Sequence, residues 1–379
     1  MNLPKDVKNY FRAGCFALLL FLIPGNFAAA QPGTPYLVAA QDSDYSQVIS
    51  RAREMLQTHI DTLGIPGLTA AVLKNGSIIW AEGFGYADVE NRVPVWPHTK
   101  MRIGSVSKSL TSVAVALLYE QGKLDLDAPV QKYVPSFPEK KYPITTRLVA
   151  GHLAGIRHYR GQEFLMNRHF DSVTAGLNIF ASDTLLYRPG EKYQYSSYGW
   201  NLISAVVEGA SGQDFLSYMR ENVIRPLGMI QTVADLNAEI IYNRTRFYVK
   251  NQAGQLINAP YVDNSYKWAG GGYLSTATDL VIFGNAVINS DFLKPSTVEL
   301  LFKSQKTNSG KETNYGMGWR RWKMNGKIAV GHTGGSVGGN TVLCMLPDEK
   351  VVVAMICNIS GGRLLTPGLE LLKLFGDGM

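Results

Sequence analysis

Apolar residues recur at helical spacing over Val48, Ile49, Ala52, Met55, Leu56, Ile60 and Leu63, and the run stops at Gly64. Positions three and four apart share a helix face, so the pattern predicts an amphipathic helix with a glycine stop. Two β-rich runs then flank Asn75-Gly76, and a second pair flanks Asn325-Gly326. Asn-Gly supplies the positive φ of tight hairpin turns, so both pairs are predicted antiparallel hairpins. A third hairpin follows from the strand-like runs Asn340 to Leu346 and Lys350 to Cys357 around Pro347-Asp348-Glu349. A last helical pattern passes through Leu369, Leu371, Leu372 and Leu374.

Hairpins and long helices thus sit at both ends, while the middle, from about Asp127 to Val262, is patterned as mostly helical. Short hairpins imply antiparallel pairing. The economical architecture is an α/β (α+β) fold. Residues 31–126 and 263–379 build one antiparallel sheet flanked by helices, and residues 127–262 form an inserted, mostly helical subdomain. A cleft is expected where the two regions meet. The 379 residues are enough for a large core, and 46% hydrophobic against 18% charged excludes a disordered chain.

The formal charge of +7 points to no nucleic-acid partner, because the basic residues are scattered rather than gathered into an arm. Lys5, Lys8 and Arg12 precede an apolar stretch from Ala13 to Ile23, a Pro24-Gly25 break and Ala28-Ala29-Ala30. Residues 1–30 therefore read as a secretory signal peptide, too short in its apolar part to span a bilayer, so no stable membrane anchor is expected after its removal. A mitochondrial transit peptide is the rival, but such segments are rich in arginine and serine. Cys344 and Cys357 follow the expected leader, on facing strands but out of register for a disulfide.

The chemistry begins at Ser105-Val106-Ser107-Lys108, just before the helical run Leu110, Val113, Ala114, Leu117 and Leu118. One turn places serine and lysine on the same face, and a lysine with a lowered pKa can take the serine's proton. Tyr195-Ser196-Ser197 precedes a second apolar helix, placing a phenol where it can relay a proton. Gly331-His332-Thr333-Gly334-Gly335-Ser336 follows the strand from Lys327, with glycines that let a substrate approach the backbone. Within it, Gly334-Gly335-Ser336-Val337-Gly338 matches the Gly-x-Ser-x-Gly elbow, yet that motif needs a following helix and a downstream histidine. A strand follows, and no histidine occurs after His332.

The order Ser-x-x-Lys, Tyr-x-Ser, His-Thr-Gly resembles the serine β-lactamase and penicillin-binding-protein superfamily. The spacing is most similar to class C β-lactamases with their esterase and D-alanyl peptidase relatives. Met101 to Lys123, Thr145 to Tyr159, Tyr242 to Thr276 and Gly331 to Val337 also resemble the serine β-lactamase-like proteins of animal mitochondria. The resemblance implies that Ser105 attacks a carbonyl to form an acyl-enzyme, with Lys108 and Tyr195 moving protons and either serving as base. It implies an oxyanion hole from the backbone N–H groups of Ser105 and Gly335. Ser197, His332, Thr333 and Gly334 would line the substrate site. The implied partner is a small molecule or peptide with a carbonyl centre. The mitochondrial relatives add a self-assembling role, as homo-oligomer or filament, as an alternative.

Two departures weaken β-lactam hydrolysis specifically. His332 stands where the superfamily has lysine, and a histidine is mostly neutral at pH 7; Ser197 stands where it has asparagine. The expected activity is thus hydrolysis of an amide or ester, of peptidase, esterase or D-alanyl peptidase type, ahead of a β-lactamase. No cofactor or metal is implied: Asp125 and Asp127 read as a turn or helix cap before Pro129, and His152, His158 and His169 lack ligand spacing. Gly270-Gly271-Gly272 is either a tight bend or a place where substrate meets backbone, and Ser275 to Asp279 reads as a helix cap.

Overall fold

The computed structural model describes residues 36–37, 43–289 and 292–376; the leader expected over residues 1–30 lies outside the described residues. The first amphipathic pattern is helix α1 (Ser46–Leu63), with Ile49, Ala52, Leu56 and Ile60 as its buried stripe. Gly64 ends it at φ 57°, and its N–H faces the Asp61 and Ile60 carbonyls. That left-handed backbone carries no Cβ penalty in glycine.

Strands β1 (Gly67–Lys74) and β2 (Ser77–Asp88) turn at Asn75-Gly76, while β3 (Arg320–Met324) and β4 (Lys327–Ser336) turn at Asn325-Gly326. All four turn residues have positive φ, as the Asn-Gly signal predicts. With β5 (Gly339–Leu346) and β6 (Val351–Cys357) they make one sheet in the order β2-β1-β6-β5-β4-β3, and the short strand Tyr36–Leu37 lies outside β2. Every neighbouring pair is antiparallel. The two ends of the chain join at β1 and β6, where Lys74 faces Val351 and Leu68 faces Cys357.

Four further helices are α2 (Ser107–Glu120), α3 (Ser197–Ser211), α4 (Ala277–Asn289) and α5 (Leu365–Phe375). Both sheet faces are buried, and the period of two sorts their side chains. Val351, Val353, Met355 and Cys357 share one core with Ile49 and Leu56 of α1 and Leu371 and Phe375 of α5. Val352, Ala354 and Ile356 point the other way, into a larger core with Leu110 and Val113 of α2, Trp200 and Ile203 of α3 and Phe283 of α4. Thr276 caps α4 by accepting from the Asp279 N–H at 3.1 Å.

Between residues 127 and 262 lie the short helices Thr146–Ala150, Val173–Leu177 and Phe215–Met219, together with α3 and a small hairpin of Tyr248–Lys250 with Leu256–Asn258. Cys344 faces Val353 and Cys357 faces Asn340, and both thiols are free and buried. Burial alone pushes the Cys344 thiol up. Among the described residues, no helix is long and apolar enough to cross a membrane.

Candidate active site

Ser105 lies in a single 3₁₀ turn, Gly104–Val106, that runs directly into α2, so Lys108 sits one turn along on the same face. The Lys108 amine contacts Ser105 Oγ at 2.9 Å, Ser197 Oγ at 3.2 Å and the Gly270 carbonyl at 2.6 Å. α3 supplies Ser197 at its first position, capped by Ser196, whose hydroxyl accepts from the Gly199 N–H at 3.0 Å. The short helix Trp268–Gly271 brings the Gly270 carbonyl. The glycine run therefore serves as backbone acceptor for the lysine.

The Lys108 side chain is fully buried. Its amine is held well below the ordinary lysine range, first by desolvation, then by the positive charges of Arg320 and Lys267. Tyr195 is shifted upward instead: burial disfavours its phenolate, against a hydrogen bond with Ser105 and the Arg320 charge. Its ring lies 5.0 Å from the Lys108 amine.

The His-Thr-Gly segment, expected to follow the strand from Lys327, belongs to that strand. β4 continues to Ser336 and stays in register with β5, Gly335 opposite Asn340. Gly104, at φ 49°, and Gly334 allow this strand to lie against the turn bearing Ser105. A Cβ on Gly334 would fall 1.9 Å from the Ile103 carbonyl oxygen, and one on Gly104 would fall 2.6 Å from that of Gly335. Gly334 is buried in this contact and does not line the cleft, whereas Thr333 and the exposed Gly335 do.

His332 is buried with both ring nitrogens engaged. Nδ1 lies 2.6 Å from the Thr333 carbonyl, so Nδ1 carries the proton and donates. Nε2 then accepts from the Tyr315 hydroxyl at 2.9 Å. Desolvation and the Arg320 and Lys108 charges hold the ring neutral, well below the usual histidine range.

The cleft, about 230 Å³, is lined by Ser105, Tyr195, Ser197, His332 and Thr333, all singled out in the sequence, and by several groups that were not. Lys267 is buried among aromatic rings, its amine 4.8 Å from the Phe164 ring and 5.2 Å from that of Tyr266. Desolvation first, then the Arg102 charge, lowers its pKa to about 7, against the opposing pull of Asp235. Arg320 stacks over Tyr195 at 5.3 Å and Tyr315 at 5.7 Å. His152 and His158, without metal-ligand spacing, have another use: their Nδ1 atoms accept the N–H groups of Ser196 and Ser197, each at 3.1 Å. Arg157 fixes the segment beside them by pairing with Glu163 at 2.7 Å and with Asp183. Asp127 pairs with Arg147 at 2.7 Å and is not among the residues that line the cleft.

Comparison with known proteins agrees with this fold. The β-lactamase family model matches residues 52–373. The mouse "Serine beta-lactamase-like protein LACTB, mitochondrial" is 35% identical, over 90% of this chain and 83% of its own. A D-aminopeptidase of Gluconobacter oxydans is 27% identical over 77% of this chain and 56% of its own. Among solved structures, the octameric penicillin-binding protein homologue from Pyrococcus abyssi superposes with a TM-score of 0.75 at 26% identity, covering 86% of this chain and 77% of that one. The fold is that of the β-lactamases and penicillin-binding proteins, a class built for serine hydrolases. The chain belongs to the β-lactamase family.

Proposed function

We propose that this protein hydrolyses an amide or ester bond through an acyl-enzyme on Ser105. The observation that carries the reading is the 2.9 Å contact between Ser105 Oγ and an amine whose burial favours its neutral form. Lys108, not Tyr195, is the base: the fold lowers the lysine's pKa and raises the tyrosine's. Ser105 Oγ bonds to the carbonyl carbon as its proton passes to Lys108 Nζ. The resulting oxyanion faces the N–H groups of Ser105 and Gly335, donors of a kind worth roughly 3–4 kcal/mol each. Collapse breaks the bond to the leaving group, which takes a proton through Tyr195, and water then hydrolyses the acyl-serine. Ser197, His332 and Thr333 line the substrate's path, and Gly334 holds that strand against Ser105.

A peptidase or esterase is favoured over a β-lactamase. The D-aminopeptidase among the relatives supports the former, and a neutral, fully engaged His332 supplies no cation. The test is fluorophosphonate labelling with peptide mapping, followed by a panel of esters, D-amino-acid amides and β-lactams on wild type and Ser105→Ala. Expected are label on Ser105 and turnover lost in the variant. Stoichiometric label elsewhere, with Ser105→Ala fully active, overturns the reading.

Self-assembly is the second reading, favoured by the octameric homologue. Light scattering across a concentration series tests it, and a strict monomer throughout counts against it. For location, the leader argues export, while the mitochondrial relatives favour the alternative. Fractionation of a tagged chain decides between them.

A further inference from the structure

We propose that Lys267 is the base of the second half-reaction, taking the proton of the water that hydrolyses the acyl-serine; the proposal rests on the reading of Ser105 as nucleophile. Lys267 lines the same cleft as Ser105. It ends the 3₁₀ turn Ser265–Lys267, just before the short helix that brings the Gly270 carbonyl to the Lys108 amine.

Lys267 is set apart from the other buried lysines. Lys74 donates to the Phe375 carbonyl at 3.0 Å, Lys100 to Gln231 Oε1 at 2.6 Å and Lys108 to the Gly270 carbonyl at 2.6 Å. Lys267 is only 2% exposed, yet among the described residues its amine has no hydrogen bond and no ion pair; its neighbours are the rings of Phe164, Tyr266 and Tyr159. A buried amine without a hydrogen-bond partner is costly, so it persists where a ligand completes it. Desolvation leads in weakening its hold on a proton, Arg102 adds to this and Asp235 opposes it, so that much of the amine is neutral near pH 7 with its lone pair available.

The other titratable groups of the cleft are committed. Lys108 meets Ser105, Ser197 and Gly270, and three partners with its own carbon complete the tetrahedron about its nitrogen. His332 uses both ring nitrogens. His158 Nδ1 accepts the Ser197 N–H, so the proton of the neutral ring sits on Nε2, which can only donate. Burial pushes the Tyr159 and Tyr195 phenols up, away from phenolate, and a guanidinium such as that of Arg320 stays protonated. The lining holds no aspartate or glutamate. Among the described residues, Lys267 is therefore the one basic group of the lining with an unengaged lone pair.

In the step assigned to it, the water oxygen bonds to the acyl carbon as a proton passes to Lys267 Nζ, and the oxyanion faces the N–H groups of Ser105 and Gly335, as in acylation. Collapse breaks the bond between that carbon and Ser105 Oγ. Oγ takes a proton from the Tyr195 hydroxyl, its hydrogen-bond partner, and the Lys267 ammonium returns one to Tyr195. The carboxylic acid leaves, and every group regains its starting state.

The test measures acyl-Ser105 by mass spectrometry in single turnovers of an activated ester, on the pH plateau of acylation. Lys267→Met is expected to acylate and then to lose the acyl group about a hundredfold more slowly than wild type, the scale of a general base. Lys267→Arg keeps the charge but offers no lone pair, and is expected to be as slow. Deacylation at the wild-type rate in either variant overturns the proposal. In wild type the deacylation rate is expected to fall as pH drops below about 7, where Lys267 takes up a proton. A flat profile there overturns the proposal even if neither variant folds. An ester hydrolysed with no acyl-Ser105 in any of the proteins defeats the nucleophile and this proposal with it, whereas acyl-Ser105 that turns over normally in Lys267→Met defeats this proposal alone.

Discussion

The Tyr315 hydroxyl donates to His332 Nε2 at 2.9 Å, and both residues are buried. Because His332 Nδ1 already donates to the Thr333 carbonyl, this bond fixes the ring as a neutral tautomer. Tyr315→Phe leaves a buried acceptor without a partner, which costs about 1–3 kcal/mol. Thermal or chemical unfolding is expected to show that loss, and an unchanged midpoint would rule the bond out as a stabilising contact.

Hydrolysis through Lys108 requires the neutral amine, so kcat/KM is expected to rise with pH along an acid limb and level off as Lys108 loses its proton. Lys267 is one of the charges that lower the Lys108 pKa. Lys267→Met removes that charge and moves the acid limb to higher pH. A limb at the same pH in the variant contradicts the coupling.

Lys267 also burdens the fold. Its folded pKa of about 7 lies below the ordinary lysine value, so the unfolded chain binds a proton more readily, and stability is lost as pH falls from the unfolded pKa through 7. Removing the buried amine in Lys267→Met is expected to stabilise the protein by roughly 1–3 kcal/mol at pH 7. Denaturant titration reads this directly, and a lower midpoint would refute it.

Gly334→Ala places a Cβ 1.9 Å from the Ile103 carbonyl oxygen, so β4 and the turn bearing Ser105 must separate. Acylation is expected to fall by more than about tenfold, since misplacing a reacting group by ~1 Å costs on that scale. Gly335→Ala meets nothing within 4 Å and is expected to leave the unfolding midpoint little changed. Equal midpoints for the two variants would contradict this packing.

His158 is pulled down to about 4 by burial first and by the Lys108 charge second. Its neutral ring accepts the Ser197 N–H, so its contribution to stability is complete above about pH 6.5 and is lost as pH falls toward 4. Asparagine retains an acceptor without the titration. His158→Asn is therefore expected to flatten the stability profile between pH 6.5 and 4, and an equally steep profile would dismiss the histidine as its source.

Much of this was legible in the chain because local rules agreed with the global ones. The Asn75-Gly76 and Asn325-Gly326 turns, the stripe of α1 and the Ser105–Lys108 spacing each follow from a fixed geometric period. Lys267 and Arg320 were not legible. A single lysine or arginine carries no periodic signal, and its nearness to Ser105 arises only when strands and helices distant in sequence pack together. His152 and His158 were weighed only as metal ligands, and their work as acceptors for consecutive amides depends on where α3 begins. The His332 segment was expected to follow the strand from Lys327, and it is part of that strand. β4 runs on because its glycines keep the ladder to β5 while admitting the Ser105 turn.

The β1–β6 pairing has a consequence for how the chain reaches this state. Strands near the two termini must find each other before the sheet closes, and β3 and β4, which carry Arg320 and His332, are made late in synthesis. Such high contact order makes folding slow, because the loop-closure entropy must be met before the distant contacts form. A ribosome-bound fragment ending before β3 therefore leaves the edge of β1 without β6 and holds Ser105 and Lys108 without the strands that carry Arg320 and His332. The proposed centre is thus complete only once β4 has been made and has packed against the turn bearing Ser105.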